Sequence, residues 1–352
     1  MTEINCELTE IEKDRYSRQM RFGAIGNPGQ THLKNARILL CGCGALGTVL
    51  ANTLVRAGVG FIRLVDRDFV ELSNLQRQVL FDEDDAAQGV PKSVAGAKKL
   101  GQINSLVTIE PVVAHIDRGN ILELAQDVDL ILDGTDNFEI RYLINDAAIK
   151  LGIPWVYGGC IGSHGQFMTI LPGDTPCLRC VFEAAPGPGE AGTCDTAGVL
   201  GMTINLIASF QATEAIKILT GNLEAINRDL VYLDCWENSF KKIKIARLKG
   251  KVDCPCCTHN RFEWLDGELG AQTTSLCGRN AVQIAHAKPI KLDFEFLTKN
   301  LIHLGNVSST RFLLRFSAED CDFTVFPDGR AIIKGTDEPD RAMALYARYI
   351  GH

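Results

Sequence analysis

Long apolar runs are missing from this sequence. None approaches the ~18–20 residues that a membrane-crossing helix needs, because Arg63 and Asp66, or Gln211 and Glu214, interrupt the most apolar stretches. Clustered basic residues are missing too. With 36 Lys+Arg against 43 Asp+Glu the formal charge is −7 and the cations are scattered, so nothing offers DNA or RNA an electrostatic footprint. The first residues lack a basic stretch followed by an apolar one, and the expected location is the cytoplasm. No GxxxxGK[ST] loop occurs, which argues against a P-loop kinase or ATPase, and the seven histidines show neither HxxxH nor HExxH spacing.

Cysteine is abundant instead. Thirteen of them, an odd number in a chain expected in a reducing compartment, argue against a complete disulfide framework and for metal or thiol chemistry. The remaining composition, 46% hydrophobic and 22% charged over 352 residues, is that of a globular chain large enough for two units.

The chain opens with a charged, helix-prone lead-in over 11–35, broken by a Gly/Pro turn at Gly26-Asn27-Pro28-Gly29. A buried-strand pattern over Ala36–Cys41 then runs into Gly42-Cys43-Gly44-Ala45-Leu46-Gly47 and a helical pattern to Ala57. A second strand pattern, Phe61–Val65, ends at Asp66. Further alternation predicts a helix after Pro91, a strand near Val107–Val113, a helix near Ile121–Gln126 and a strand Val128–Leu132 ending in Asp133-Gly134-Thr135-Asp136-Asn137. Such alternation predicts a doubly wound, mainly parallel α/β sheet of Rossmann-like type. The stretch Pro172–Gly201 reads as a long Gly/Pro/Cys loop, Thr203–Leu219 as an apolar helix, and Leu230–Ala246 as alternating strands. From about Gly267 the pattern changes to short hairpin strands ending in a helix through Met343 and Tyr346, so two units are expected: 11–262, and a small α+β appendage at 267–352.

Gly42, Gly44 and Gly47 permit a tight turn, close approach to a phosphate and close helix–strand packing, with Asp66 placed for ribose hydroxyls. These residues alone leave NAD and ATP both open. Arg77, Lys92 and Asp136 fit phosphate chemistry, which needs fixed cations and a carboxylate for Mg²⁺; any one taken singly reads as a surface charge, less so Asp136, which follows the carboxyl end of a predicted strand. Two CxxC pairs, Cys177/Cys180 and Cys254/Cys257, can together give four thiolates to one tetrahedral Zn²⁺, leaving Cys256 surplus. Four thiolates leave no open position, so that zinc would be structural.

Taken together, Arg15-Tyr-Ser-Arg-Gln, the three glycines, Asp66, SNLQRQ at 73–78, Lys92, TDN at 135–137, the CxxC pairs and Cys194-Asp-Thr-Ala-Gly resemble the MoeB/ThiF adenylyltransferases, bacterial relatives of ubiquitin-activating enzymes. The resemblance covers about residues 11–262. It implies ATP·Mg²⁺-dependent adenylation of the C-terminal Gly-Gly carboxylate of a ubiquitin-like sulfur carrier, ThiS-like or MoaD-like, for thiamine-thiazole or molybdopterin synthesis. It also implies roles. Gly42, Gly44, Gly47, Asp66, Ser73, Asn74, Leu75, Gln76, Arg77, Lys92, Asp136 and Asn137 form the nucleotide-binding set; Asp66 bonds the ribose, Asn74, Arg77 and Lys92 the phosphates, and Asp136 holds Mg²⁺. Arg15 reaches the phosphates of the partner subunit, which requires a homodimer. Cys194 forms a covalent carrier link or passes on sulfur in some relatives and is idle in others, and a cysteine desulfurase or another sulfur donor is a further implied partner. A dehydrogenase would leave Arg77, Lys92, Asp136 and the cysteine pairs unexplained; a zinc-stapled scaffold that binds a ubiquitin-like partner without using ATP stays open.

Overall fold

In the computed structural model the described residues are 7–185, 197–276, 280–286, 291–304, 307–310 and 313–351. Within them, β1 (Arg37–Cys41), β2 (Phe61–Val65), β3 (Thr108–Val112), β4 (Leu130–Asp133), β5 (Trp155–Ile161), β6 (His164–Ile170), β7 (Leu230–Asp234) and β8 (Ser239–Ile243) form one sheet in the order β3-β2-β1-β4-β5-β6-β7-β8. The first five are parallel to their neighbours because the helices Ala45–Ala57, Lys92–Ile103 and Phe138–Leu151 carry the chain back across the sheet. From β5 onward pairing is antiparallel, since β5 and β6 are joined by only Gly162-Ser163, with Gly162 at φ +58°. The parallel strands are covered on both faces. Ile38 and Leu40 of β1 enter one hydrophobic core with Ile62, Leu64, Leu130 and Leu132, while Leu39 and Cys41 enter a second with Val65 and Ile131, the period-2 alternation of a strand.

Chain order departs from spatial order at β1, which lies between β2 and β4, and there the backbone is packed without room for side chains. Gly42 has φ +92°, and a Cβ on it would sit 2.7 Å from the Gly134 carbonyl oxygen; a Cβ on Gly47 would sit 2.0 Å from the Gly42 carbonyl oxygen. The turn after β1, the first turn of the following helix and the turn after β4 thus touch backbone to backbone. This opens the crevice at the carboxyl ends of the strands, where open α/β sheets take ligands.

Two expectations need amendment. The Gly/Pro segment at 26–29 begins a helix, Gly26–Asn35, rather than a turn, in keeping with the tolerance of proline in a first helical turn. The hairpin β5–β6 was absent from the sequence reading, because Trp155–Ile161 and His164–Ile170 carry little polar/apolar alternation.

A second sheet follows: β9 (Ala271–Leu276), β10 (Ala281–His286), β11 (Ser308–Ser309), β12 (Leu314–Ala318), β13 (Cys321–Val325) and β14 (Ala331–Lys334), all antiparallel, in the order β11-β12-β13-β14-β10-β9. The helices Phe294–Leu301 and Pro339–Tyr349 pack on it through Leu297, Leu301, Leu345 and Tyr346, giving it a hydrophobic core of its own.

Gly47→Ala forces the added methyl into the Gly42 carbonyl, and overpacking of this kind costs about 1–3 kcal/mol. Thermal unfolding is expected to shift down by several degrees, whereas Gly44→Ala, with nothing within 4 Å of its Cβ position, should leave the melting temperature little changed.

Candidate functional site

The crevice is a cavity of about 560 Å³. Its floor is the glycine turn, with Gly44 capping the helix Ala45–Ala57, so that the positive end of that helix points into the space. Asp66, at the end of β2, locks this floor. Its Oδ2 accepts the Cys43 amide at 2.6 Å and its Oδ1 the Asp68 amide at 2.8 Å. Burial raises the Asp66 pKa, against the pull of the Lys92 charge.

Lys92 begins the helix Lys92–Ile103 and is buried, with its Nζ donating to Asp68 Oδ2 at 3.0 Å. Burial works against its charge, but Asp66 and Asp68 outweigh it and hold the pKa above the usual lysine value, so the ammonium persists at neutral pH. Asn74 ends the short 3-10 turn Leu72–Asn74 and is buried. Arg77, three residues on, lines the cavity with its guanidinium steadied by the Ser73 carbonyl at 2.9 Å.

The opposite wall comes from the turn after β4. Asp133 is fully buried and its Oδ1 accepts from the Thr135 amide at 2.9 Å and from the Thr135 hydroxyl at 2.7 Å, while Arg141 lies 3.3 Å from its Oδ2 and donates to the Thr135 carbonyl at 2.8 Å. Burial raises the pKa of Asp133, and Arg141 opposes it. This buried pair shapes the turn so that Asp136 stays exposed to the cavity and Asn137 caps the helix Phe138–Leu151 through the Ile140 amide, 3.2 Å away.

Nine of the sequence-predicted residues therefore meet in one cavity: Gly42, Gly44, Asp66, Ser73, Asn74, Arg77, Lys92, Asp136 and Asn137. Three others of the nucleotide-binding set lie behind it. Gly47 supports the floor, Leu75 packs on the hydrophobic core and Gln76 is exposed beside it. Arg15 is elsewhere on this chain, donating to Asn104 Oδ1 at 2.6 Å. Cys194 lies outside the described residues.

Several lining residues were missed by sequence reasoning. Arg67, next to Asp66, approaches His115 Nδ1 at 2.8 Å; burial, and then the Arg67 charge, push the His115 pKa down to about 4, so its ring is neutral at pH 7. Arg141, another lining residue, and its buried partner Asp133 were missed as well. Glu319, Ala344, Ala347, Arg348 and Tyr349, from the C-terminal sheet and helix, also line the cavity, and no motif marks them.

About the other motif the structure is specific. The sulfurs of Cys177, Cys180, Cys254 and Cys257 all lie within 4.8 Å of one another, with separations of 3.8, 3.5 and 3.4 Å for Cys177–Cys180, Cys177–Cys254 and Cys180–Cys257. A tetrahedral Zn–S₄ centre has edges of about 3.8 Å, so the donor set fits that ion. Cys256 is not one of the four; it lies beside Cys177 and its sulfur accepts from Asn145 Nδ2 at 3.3 Å. Asn145 also accepts the Leu178 amide at 2.8 Å, and Asp146 accepts the Trp264 amide at 3.0 Å, so the helix Phe138–Leu151 ties both cysteine loops to the element whose first turn borders the cavity.

Known proteins agree with this architecture. The ThiF family pattern matches residues 16–256. A sulfur carrier protein ThiS adenylyltransferase of Bacillus subtilis (strain 168) is 44% identical over 338 residues, covering 96% of this chain and 99% of that protein. A SAMP-activating enzyme E1 of Haloferax volcanii is 39% identical over 254 residues, 72% of this chain and 92% of its own. Among solved structures, that of Escherichia coli MccB with ATP superposes with a TM-score of 0.57 at 22% identity, covering 69% of this chain and 73% of that one, a likeness of fold alone. The chain belongs to the ThiF family.

Proposed function

We propose that this chain is an adenylyltransferase that uses ATP and Mg²⁺ to activate the C-terminal Gly-Gly carboxylate of a ubiquitin-like sulfur carrier, in thiazole or molybdopterin synthesis. The observation that carries this reading is the convergence of Arg77, Lys92 and Asp136 on one cavity above a glycine turn and Asp66. It is supported by the full-length similarity to a ThiS adenylyltransferase.

On this reading the phosphates lie at the positive end of the helix Ala45–Ala57, with Asp66 accepting from the ribose hydroxyls through its remaining lone pairs. Arg77 and Lys92 neutralise charge on the phosphate oxygens as the bond between the α-phosphorus and the bridging oxygen breaks and pyrophosphate leaves. Lys92 is pre-set for this, because Asp66 and Asp68 hold it charged in a buried position. Asp136 is the carboxylate that would hold Mg²⁺, which when bound adds positive charge at the phosphates. The carrier carboxylate attacks from the side of Gln166 and Tyr232, where the cavity wall passes to the exposed edge at His164. Alignment of that carboxylate with the phosphorus is a larger part of the rate enhancement than any proton transfer.

Arg15, which on its own chain is bound to Asn104 away from the cavity, is assigned by the family resemblance to the partner protomer's site of a homodimer. The four-cysteine cluster holds a structural zinc, and a reducing cytoplasm is the compartment in which thirteen cysteines are kept as thiols. Cys194 is the candidate for a covalent carrier link, with a cysteine desulfurase or another donor supplying the sulfur.

Exchange of labelled pyrophosphate into ATP is expected to depend on a carrier ending in Gly-Gly. Arg77→Ala and Asp136→Ala should each lower it by about 10²–10³-fold, the scale of losing one charge-stabilising group; full exchange in both variants refutes these roles, and no exchange with any carrier favours a scaffold. Metal analysis should find one zinc per chain, and its removal by a chelator, or Cys177→Ser, should lower the melting temperature by at least about 5 °C. Metal-free protein of unchanged stability contradicts the zinc assignment.

A further inference from the structure

The second sheet and its last helix are not remote from the cavity. The helix Pro339–Tyr349 carries two stripes: Ala342, Leu345, Tyr346 and Tyr349 are buried on its own sheet, while Ala344, Ala347 and Arg348 are half-exposed and line the cavity. Spacings of three and four residues put these on one face.

The face is held in place from both sides. Across the seam, Arg67 donates to the Asp340 carbonyl at 3.2 Å, and the Arg348 charge is close enough to act on Asp68. On its own side Arg348 pairs with Glu319, which also accepts from the Tyr349 hydroxyl at 2.8 Å. Glu319 stands at the tip of the β12–β13 hairpin, where it and Asp320 have φ +50° and +60°, the left-handed pair of a tight two-residue turn. The hairpin tip thus fixes the direction of Arg348.

Which end of a nucleotide meets this face follows from the order of the other groups. The helix N-terminus, Arg77 and Lys92 take the phosphates and Asp66, at the end of β2, takes the ribose. The base must then continue towards β3, the neighbour of β2 at the sheet edge, and Ala114 and Ile116, just after β3, line the same cavity as Ala344 and Ala347. Apolar side chains from both units are therefore available to a flat ring.

We infer that the C-terminal unit is part of the nucleotide site: the helix Pro339–Tyr349 forms the outer wall of the nucleoside pocket, with Ala347 against the base and Arg348 at its edge. Both are affinity determinants for the nucleoside and neither touches the phosphates or the carrier. This inference rests on the reading of the cavity as an ATP site.

The test uses the full chain, with ATP·Mg²⁺ binding followed by calorimetry and inorganic tripolyphosphate as a competitor that lacks the nucleoside. Ala347→Leu, which extends from a half-exposed position into the cavity, and Arg348→Ala should each weaken ATP binding about tenfold and raise its KM alike. Tripolyphosphate affinity, the KM for the carrier and the melting temperature should stay within twofold or a few degrees, as they should for Arg315→Ala, an exposed position on β12 that serves as the control. ATP affinity unchanged within twofold in both variants overturns the inference, as does equal weakening of ATP and tripolyphosphate. If the unaltered chain binds no ATP, the reading of the cavity fails and the inference falls with it.

Discussion

Backbone contact between the turn after β1 and the turn after β4 is the constraint on which the rest of this structure depends. Gly42 and Gly47 allow that contact, because a methyl group on either would overlap the neighbouring carbonyl. Once the turns meet, the helix Ala45–Ala57 must start at the crevice and present its free amides there. Asp66 is drawn in to accept the Cys43 amide, and the turn after β4 projects Asp136 from the other side. A cavity with the positive end of a helix at its floor is therefore a consequence of chain packing before any charged side chain is added.

The charges placed around that floor are costly to bury and are arranged in opposed sets. Lys92 stands between Asp66 and Asp68, and Arg141 faces Asp133 in the interior. Buried pairs of this kind are weak sources of stability, since desolvation offsets most of the attraction. Their value lies in fixed geometry: Lys92 is held charged in a buried position between Asp66 and Asp68, and the Asp133–Arg141 pair holds the loop that carries Asp136 and Asn137. The same helix that Asn137 caps is bonded by Asn145 and Asp146 to the loops of the cysteine cluster, so the excursion that carries the four cysteines steadies one wall of the cavity from about two helical turns away.

Much of this was legible in the sequence, for local reasons. The β-α-β unit, its glycines and Asp66 follow from periodicity and short-range turn chemistry, and the CxxC pairs from ligand spacing. Arg77, Lys92 and Asp136 became specific only as a set, because each alone is an ordinary surface charge. The turn at Gly26–Gly29 was misread because Gly and Pro also start helices. The hairpin β5–β6 lacked alternation to betray it. Least legible was the wall made by Glu319, Ala347 and Arg348: it lies more than two hundred residues beyond Asp66 in sequence and is assembled only by docking of a second sheet, for which no short-range pattern exists.

The central claim is that the bond made in this cavity joins AMP to a protein carboxylate. Rapid-quench mass spectrometry of the carrier after mixing with the chain, ATP and Mg²⁺ tests it most directly. The account predicts a carrier heavier by one adenylyl group at its terminal glycine, formed with release of pyrophosphate, and no change in a carrier that lacks the Gly-Gly tail. An unmodified carrier accompanied by ADP and phosphate, or an adenylyl group found on the chain itself, would contradict it.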